Sequence, residues 1–532
     1  MTYAIATANP LATEAGAAIL ARGGSAIDAA IAVQMILTAV GPNASGIGGG
    51  AVLVVHDAGQ TEGRRTVVLD GLSTAPARVT PRLAEDFDGS EIAAERAAFG
   101  GRTIGVPGAL RALEAAHRRW GRLSWAELFA PAIALCEQGV PLWPYLARAM
   151  AENPAMRDVP MAQALYCGTD GRVLPAGTCV ANPALATTLR RIADQGADDL
   201  YAGETARAIV DAVAGDTFPG TITLADLAGY RPVERAPIRY ALADLFVECA
   251  PLPTYGGVSA GQIAGIALAA GLRGLPHTPD AEHIHILAEA MRLAHVDRFG
   301  FGDPDFGASD PQALLVPEVL ARRAAAIDPG RRAASHQASA VDEGDRTQTS
   351  HISIADQHGL LLSMTTTINQ NFGSRVGAAG FWLNNVLTNF ATVPTQGGRP
   401  SPNRLRPGAR ARTTIGPSLV FDAAGAPVAL LGSAGGARIV GSIASALLRL
   451  VAGERDAATL VGAPQAQVWS GPLEIEPALA GTMAGLRARG HYPHVRRLDT
   501  GTQALVLGPA GWTAAGDPRR DGAGRVGCDT AC

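Results

Sequence analysis

A chain of 532 residues, 47% hydrophobic and 17% charged, carries enough apolar material for a large core and is not a disordered polymer. Its formal net charge of −4 gives no basic stripe for nucleic acid or an anionic membrane surface, so the expected partner is a small molecule. All 44 basic residues are arginine and none is lysine, which excludes a Schiff-base lysine, a pyridoxal-phosphate anchor and the lysine of a phosphate-binding P-loop.

In chain order, 9–39 reads as two helices broken at Gly23 and Gly24, with Ser25 as N-cap of the second. Residues 46–51 (GIGGGA) formally satisfy the GxGxxA dinucleotide fingerprint. Pro42 and Asn43 stand where a strand should precede it, and an apolar strand, 51–56, follows where a helix should begin, so a glycine-lined turn with close backbone packing is expected. Helical segments continue over 107–138, 182–214 and 281–299. On the last, His285 and Glu289 stand four apart, but no third ligand follows at matching spacing, and neither a metal nor a cofactor is expected. The six cysteines show no CxxC and, apart from the closing Cys528 and Cys532, no ligand spacing, so no disulfide framework or structural zinc is expected. The opening residues lack a charged segment followed by an apolar one, and no apolar run approaches the roughly 18 residues of a membrane span; a cytoplasmic location is the expectation.

The polar, arginine-rich and alanine-rich stretch 321–346 predicts an exposed, mobile segment. The pattern then changes: 349–355 alternates polar and apolar residues, 356–359 supplies a turn, and 360–368 is rich in β-formers. This predicts a strand, a turn and a strand, beginning directly at Thr349. Residues 393–412, rich in Pro, Gly and Arg, read as a surface loop or lid, and Arg399, Arg404, Arg406, Arg410 and Arg412 offer it five cations. Strand patterning resumes over 413–421 and 427–431.

A threonine hydroxyl is a poor nucleophile at neutral pH, but as the first residue of a chain it carries its own base, an α-amine with a pKa of about 7.7–8.0. Cleavage between Gln348 and Thr349 creates nucleophile and base together. A polar segment before the bond and a strand pattern after it suit such a junction, although threonine also begins strands for purely structural reasons.

The ordered series PLATEAG (10–16), GIGGG (46–50), GVPG (105–108), LADLAGYRPVERAPI from Leu224, GDPDF (302–306), TSHIS (349–353), Asn369 with Phe372-Gly373, LNN (383–385) and GSAGG (432–436) resembles the γ-glutamyltransferase family along nearly the whole chain. The resemblance implies an α+β fold, the four-layer αββα sandwich of N-terminal nucleophile hydrolases, in which a large fragment, 1–348, and a small fragment, 349–532, form one intertwined domain. It implies Thr349 as nucleophile, Thr367 as its supporting hydroxyl, Asn369 as a substrate-side hydrogen bonder, and the N–H groups of Gly435 and Gly436 as the oxyanion hole. Thr413 and Thr414 stand where the family usually has two serines.

Three positions depart from the family pattern. Leu72 stands where the family has the arginine that grips the substrate α-carboxylate, and Val386 and Asn389 replace the glutamine and aspartate that hold the α-amine. The leading expectation is a self-processed amide hydrolase or acyltransferase that cleaves γ-glutamyl compounds such as glutathione through an acyl-Thr intermediate passed to water or an amine. The alternative is an acylase or amidase for a non-amino-acid donor. A third is a binding protein that keeps the fold without processing or turnover.

Overall fold

The structure, a computed structural model, describes residues 2–528 except 62, 86–89, 93–96, 308–309, 334–346, 397 and 470. Two antiparallel sheets lie face to face between helical layers. The strands that build the first sheet are β1 (Thr2–Thr7), β2 (Gly50–Asp57), β3 (Thr66–Gly71) and β4 (Val233–Arg235). Those of the second begin with β5 (Ile238–Leu242) and β6 (Leu245–Cys249), and the long central pair β7 (Thr347–Ala355) and β8 (Leu360–Gln370) returns to the first. Then come β9 (Ser418–Asp422), β10 (Pro427–Gly432), β11 (Gln503–Gly508), β12 (Gly511–Gly516) and β13 (Ala523–Cys528). The first sheet runs β13-β1-β7-β8-β2-β3-β4 and the second β12-β11-β10-β9-β6-β5.

Helices α1 (Pro10–Ala21) and α2 (Ala26–Val40) cover the outer face of the first sheet. The break between them is where glycine predicts it, and Ser25 closes a capping box with Asp28 at the start of α2. Helices α3 (Gly256–Ala269), α4 (Ala281–His295) and α5 (Arg438–Val451) cover the second sheet. The period-2 alternation of strands divides the core. Leu53, Val55, Ile352 and Ile354 join the outer helices, whereas Val52 and Val54 join Val247, Val420 and Leu430 in the cluster that spans the sheets. This is the four-layer αββα sandwich expected from the sequence.

Two local expectations change. Strand β7 begins at Thr347, not at Thr349, so the Gln348–Thr349 bond lies inside a hydrogen-bonded strand. The 393–412 segment is not wholly a surface loop: Leu405, Ala409 and Ala411 pack with Ala75, Leu387 and Phe390 in a small core of their own, and Asn403 and Arg410 are buried as well. Of 321–346, Ala321 to Ala324 close the helix Pro317–Ala324, while 334–346 lie outside the described residues.

The same alternation places His351 and Ser353 toward the second sheet. The His351 ring bonds Thr365 Oγ1 at 2.8 Å and Ser353 Oγ at 3.1 Å, and its edge occupies the space a Cβ at Gly432 would need. Burial pushes the His351 pKa down to about 3. The folded state therefore holds it neutral, while the unfolded chain takes up a proton below about pH 6.5, so stability falls as pH drops through that window, by up to about 1.4 kcal/mol per pH unit. Urea unfolding of wild type and His351→Gln between pH 7 and 4 should show the stability gap narrowing at about that rate. Parallel curves would refute the assignment.

Candidate active site

The site starts from an irregularity in the β7–β8 ladder. Ser350 pairs with Thr366, but Gln348 pairs with Asn369, so Thr367 and Ile368 together stand opposite the single residue Thr349. Such a bulge bends the strand and re-aims its side chains. It ends at Asn369, whose φ of 79° lies in the left-handed region that asparagine tolerates better than most residues. Gly49 presses against the other side of this turn, where an added Cβ would strike the Thr367 carbonyl, and one at Gly48 would strike Trp382. GIGGG is thus the close-packed turn expected from the sequence, and it buttresses the site.

Re-aimed in this way, the Thr367 hydroxyl becomes a hub. It donates to the Gln348 carbonyl at 2.6 Å, accepts from the Asn369 N–H at 2.8 Å, and faces the Thr349 hydroxyl, which donates to it at 3.5 Å. The Thr349 hydroxyl and the Gln348 carbonyl are therefore joined through one side chain. Thr349 and Gln348 are both buried, at 5% and 8% exposure, so this hydrogen bonding is shielded from competing water.

Two residues the sequence reading missed grip the same bond. The Tyr145 hydroxyl donates to Gln348 Oε1 and accepts from Arg520 Nη2, and Arg520 Nη1 donates to the Thr349 carbonyl at 3.4 Å. They lie 203 and 171 residues from the junction, and no local pattern marks either.

A cleft opens on Thr349. Thr367, Asn369, Asn389, Thr413 and Thr414, all expected at the site, line it, together with Tyr255, Arg412, Ile415 and Ala437. The Asn369 amide is oriented by bonds from Nδ2 to Asn385 and to Thr388 Oγ1. Gly435 and Gly436, with φ of 118° and 62°, accept through their carbonyls from Arg438 and Ile439 as α5 begins. Only glycine adopts such a pair readily, and a helix start leaves its first N–H groups without intrahelical partners. Ala437, next in line, is the member of this run that lines the cleft.

Leu72 does not line it, which corrects the expectation. Its side chain is 3% exposed and joins the inter-sheet core, while its carbonyl accepts from the Tyr230 hydroxyl at 2.7 Å. The chain turns inward after β3, and an apolar side chain follows it. Val386 likewise packs in the small core beside Phe390.

The His285–Glu289 pair acquires a third neighbour from a distant segment, His491, with ligand atoms all within 4.8 Å. Spacing along the chain could not show this. His285 Nε2 bonds the Asp328 carbonyl at 2.8 Å and must donate to it, so Nδ1 accepts from His491 Nε2 at 2.7 Å. Glu289 pairs with Arg292, and burial first, then the guanidinium charges of Arg292, Arg332 and Arg489, holds the His491 pKa down to about 3. A dication there would have to displace the imidazole hydrogen bond beside three guanidinium groups.

A family model described as Gamma-glutamyltranspeptidase matches residues 12–527. The glutathione hydrolase proenzyme of Bacillus subtilis (strain 168) is 33% identical over 463 residues, 84% of this chain and 77% of that protein. The acylase ACY 1 proenzyme of Pseudomonas sp. (strain SE83) is 33% identical over 537 residues, 97% of this chain and 92% of that protein. Among solved structures, cephalosporin acylase from Bacillus halodurans superposes with a TM-score of 0.82 at 27% identity, covering 98% of this chain and 95% of that one.

Proposed function

Starting from the gamma-glutamyltranspeptidase family, to which this chain belongs, we propose that it cuts itself between Gln348 and Thr349 and then hydrolyses or transfers the acyl group of a small amide through Thr349. The observation that carries this is the Thr367 hydroxyl held between the Thr349 hydroxyl and the Gln348 carbonyl.

In the precursor, Thr349 Oγ1 adds to the Gln348 carbonyl carbon while Thr367 supports the oxygen on which charge develops. The Oγ1 proton passes to the departing Thr349 nitrogen as the C–N bond breaks, the acyl group is left on Oγ1 as an ester, and water cleaves that ester. The products are a Gln348 carboxylate ending the large fragment, 1–348, and a free Thr349 amine beginning the small one, 349–532. In turnover that amine takes the Oγ1 proton as Oγ1 adds to the donor carbonyl, and the departing amine of the donor leaves with a proton. Water or a second amine then resolves the acyl-Thr. The Gly435 and Gly436 N–H groups are assigned to the tetrahedral oxyanion.

For the donor we propose an acyl group without an α-amine. No carboxylate lines the described cleft to balance an ammonium, and Leu72 lies elsewhere in the core. The similarity to an acylase over 97% of this chain supports this reading. A second reading, γ-glutamyl donors such as glutathione, is favoured by Asn369 and Asn389 in the cleft wall, whose amide oxygens can accept from an ammonium.

Hydrolysis of an anilide donor by the processed protein, followed from pH 5 to 9, tests the proposal. The rate should rise through the pKa of the Thr349 amine, near 8 if unperturbed and lower if the Arg520 guanidinium beside the residue disfavours its charge. A flat profile, or no turnover of any anilide, sinks the reading.

A further inference from the structure

Thr349 lines a second cavity as well as the cleft, and strand geometry decides which part of it faces which. Within a β-strand the N–H and C=O of one residue point to the same edge, and those of the next residue to the other. The Gln348 carbonyl faces Thr367 on β8, whereas the Thr349 carbonyl accepts from Arg520 Nη1 on the opposite edge. The Thr349 nitrogen therefore points away from β8, toward the β1 side. There the ladder between β1 and β7 ends at Ala6–Ser353, short of Thr349, and the second cavity lies beyond its end, with Ala8 and Asn9 in its wall.

The same wall holds Asn43, Tyr145, Gln503, Arg520 and Asp521. Gln503 is 1% exposed, yet neither its Oε1 nor its Nε2 has a hydrogen-bond partner. Asn43 is fully buried; its Nδ2 donates to Asn371 Oδ1 at 3.0 Å, but its own Oδ1 is unpartnered. Buried amides left unbonded are costly and rare, so two in one cavity call for a partner that the uncut chain does not yet contain. Cleavage makes one. The Thr349 peptide nitrogen carries a single hydrogen, but as a chain-terminal amine it carries two, or three when protonated, and so needs acceptors it did not need before. The other polar groups of the wall are engaged: Tyr145 and Arg520 bond each other and the Gln348–Thr349 segment, and Asp521 Oδ2 accepts from the Tyr145 N–H at 3.1 Å. Besides the Arg520 and Asp521 charges, the amine would feel the Arg148–Asp499 pair, 3.1 Å apart beyond Tyr145, and Arg412 across the cleft. Burial raises the Tyr145 pKa, so its hydroxyl stays neutral.

We infer that this cavity receives the Thr349 amine released by cleavage, and that Gln503 is a positioning residue whose Oε1 accepts one amine hydrogen and so turns the lone pair toward Oγ1. This rests on the self-cleavage and amine-base reading above. Gln503 makes and breaks no covalent bond: the amine still takes the Oγ1 proton, and the amide fixes the rotation of the Thr349 Cα–N bond that lets it do so.

Because the chain holds no lysine, the Thr349 amine is the only amine of the small fragment, and cyanate carbamylation titrates it directly, read by mass in the peptide that begins at Thr349. Processed wild type, Gln503→Met and Gln503→Glu are compared from pH 5 to 10. Both substitutions keep the length of the side chain, and recovery of two fragments reports that each variant has folded. Both should cut themselves, since the amine does not exist until the bond opens. Gln503→Met removes an acceptor that favours the ammonium, so the pH of half-maximal carbamylation should fall by about one unit; the carboxylate of Gln503→Glu favours the ammonium more, so it should rise by about one to three units. The rising limb of anilide hydrolysis should move the same way, and Gln503→Met should lose about 10- to 100-fold in plateau kcat with KM little changed. A merely structural role would lower activity without driving the two titrations in opposite directions. If the three titrations coincide, if both variants move the same way, or if either variant folds but stays uncut, the Gln503 assignment is wrong while the amidase reading survives. If wild type itself stays uncut, or once processed cleaves no anilide, the amidase reading fails.

Discussion

Thr349→Ala should run as one uncut chain on a denaturing gel and hydrolyse no anilide donor, whereas wild type should separate into fragments 1–348 and 349–532. On the proposed mechanism the substitution removes the oxygen that opens the Gln348–Thr349 bond and with it the route by which the nucleophile acquires an amine. Loss of a nucleophile of this kind lowers kcat on the order of 10⁴-fold or more. The smaller wild-type fragment should begin Thr-Ser-His-Ile-Ser on N-terminal sequencing, as Thr349 to Ser353 require. Thr349→Ser keeps the hydroxyl and should still process. Thr367→Val keeps the shape but not the hydroxyl, so the carbonyl bonded at 2.6 Å loses its donor and processing should slow sharply. Normal cleavage in Thr349→Ala, or a different fragment start, would remove the mechanism.

A glutaryl anilide should be cleaved about 10- to 100-fold better than the γ-glutamyl anilide, in kcat/KM, by the wild-type enzyme. The two donors differ only in the α-ammonium, and the described cleft wall meets that group with amides and hydroxyls rather than a carboxylate. A charge-assisted hydrogen bond contributes about 1.5–3 kcal/mol, and its absence sets the size of the preference. Asn389→Asp puts a carboxylate into that wall with almost no change of shape and should swing the ratio toward the γ-glutamyl donor by a similar factor. The partner change at Leu72 is not an informative test. An arginine there would enter the inter-sheet core and destabilise the protein before it met substrate. A wild-type enzyme that already prefers γ-glutamyl donors, with no response to Asn389→Asp, would make glutathione hydrolysis the right reading.

Much of the site was legible because it is carried by short segments. Thr349 announces itself as the change from a polar stretch to a strand pattern, and Asn369, Thr413 and Thr414 fall at matching positions of the family series. All four meet at one cleft. The start of β7 was misplaced by two residues because Thr347 and Gln348 owe their extended form to pairing with Asn369 and Gln370, not to an apolar alternation of their own. Leu72 was misassigned for a related reason. Alignment fixes where a residue stands in the chain, but the direction of its side chain depends on how the segment after β3 packs.

The sequence by itself determined the central strand pair and the absence of lysine chemistry, and its resemblance to the family supplied the layered α+β fold and singled out Thr349 and Thr367. The strand pair follows from period-2 patterning and turn residues within a few positions of one another, whereas the fold and the paired threonines came with the ordered motifs of the family. Only the tertiary structure decided that Tyr145 and Arg520 hold the Gln348–Thr349 segment and that His491 completes a hydrogen-bonded pair with His285. Each of these contacts joins segments whose spacing along the chain carries no local signal, and packing of the sheets and helices alone brings them within hydrogen-bonding or binding distance.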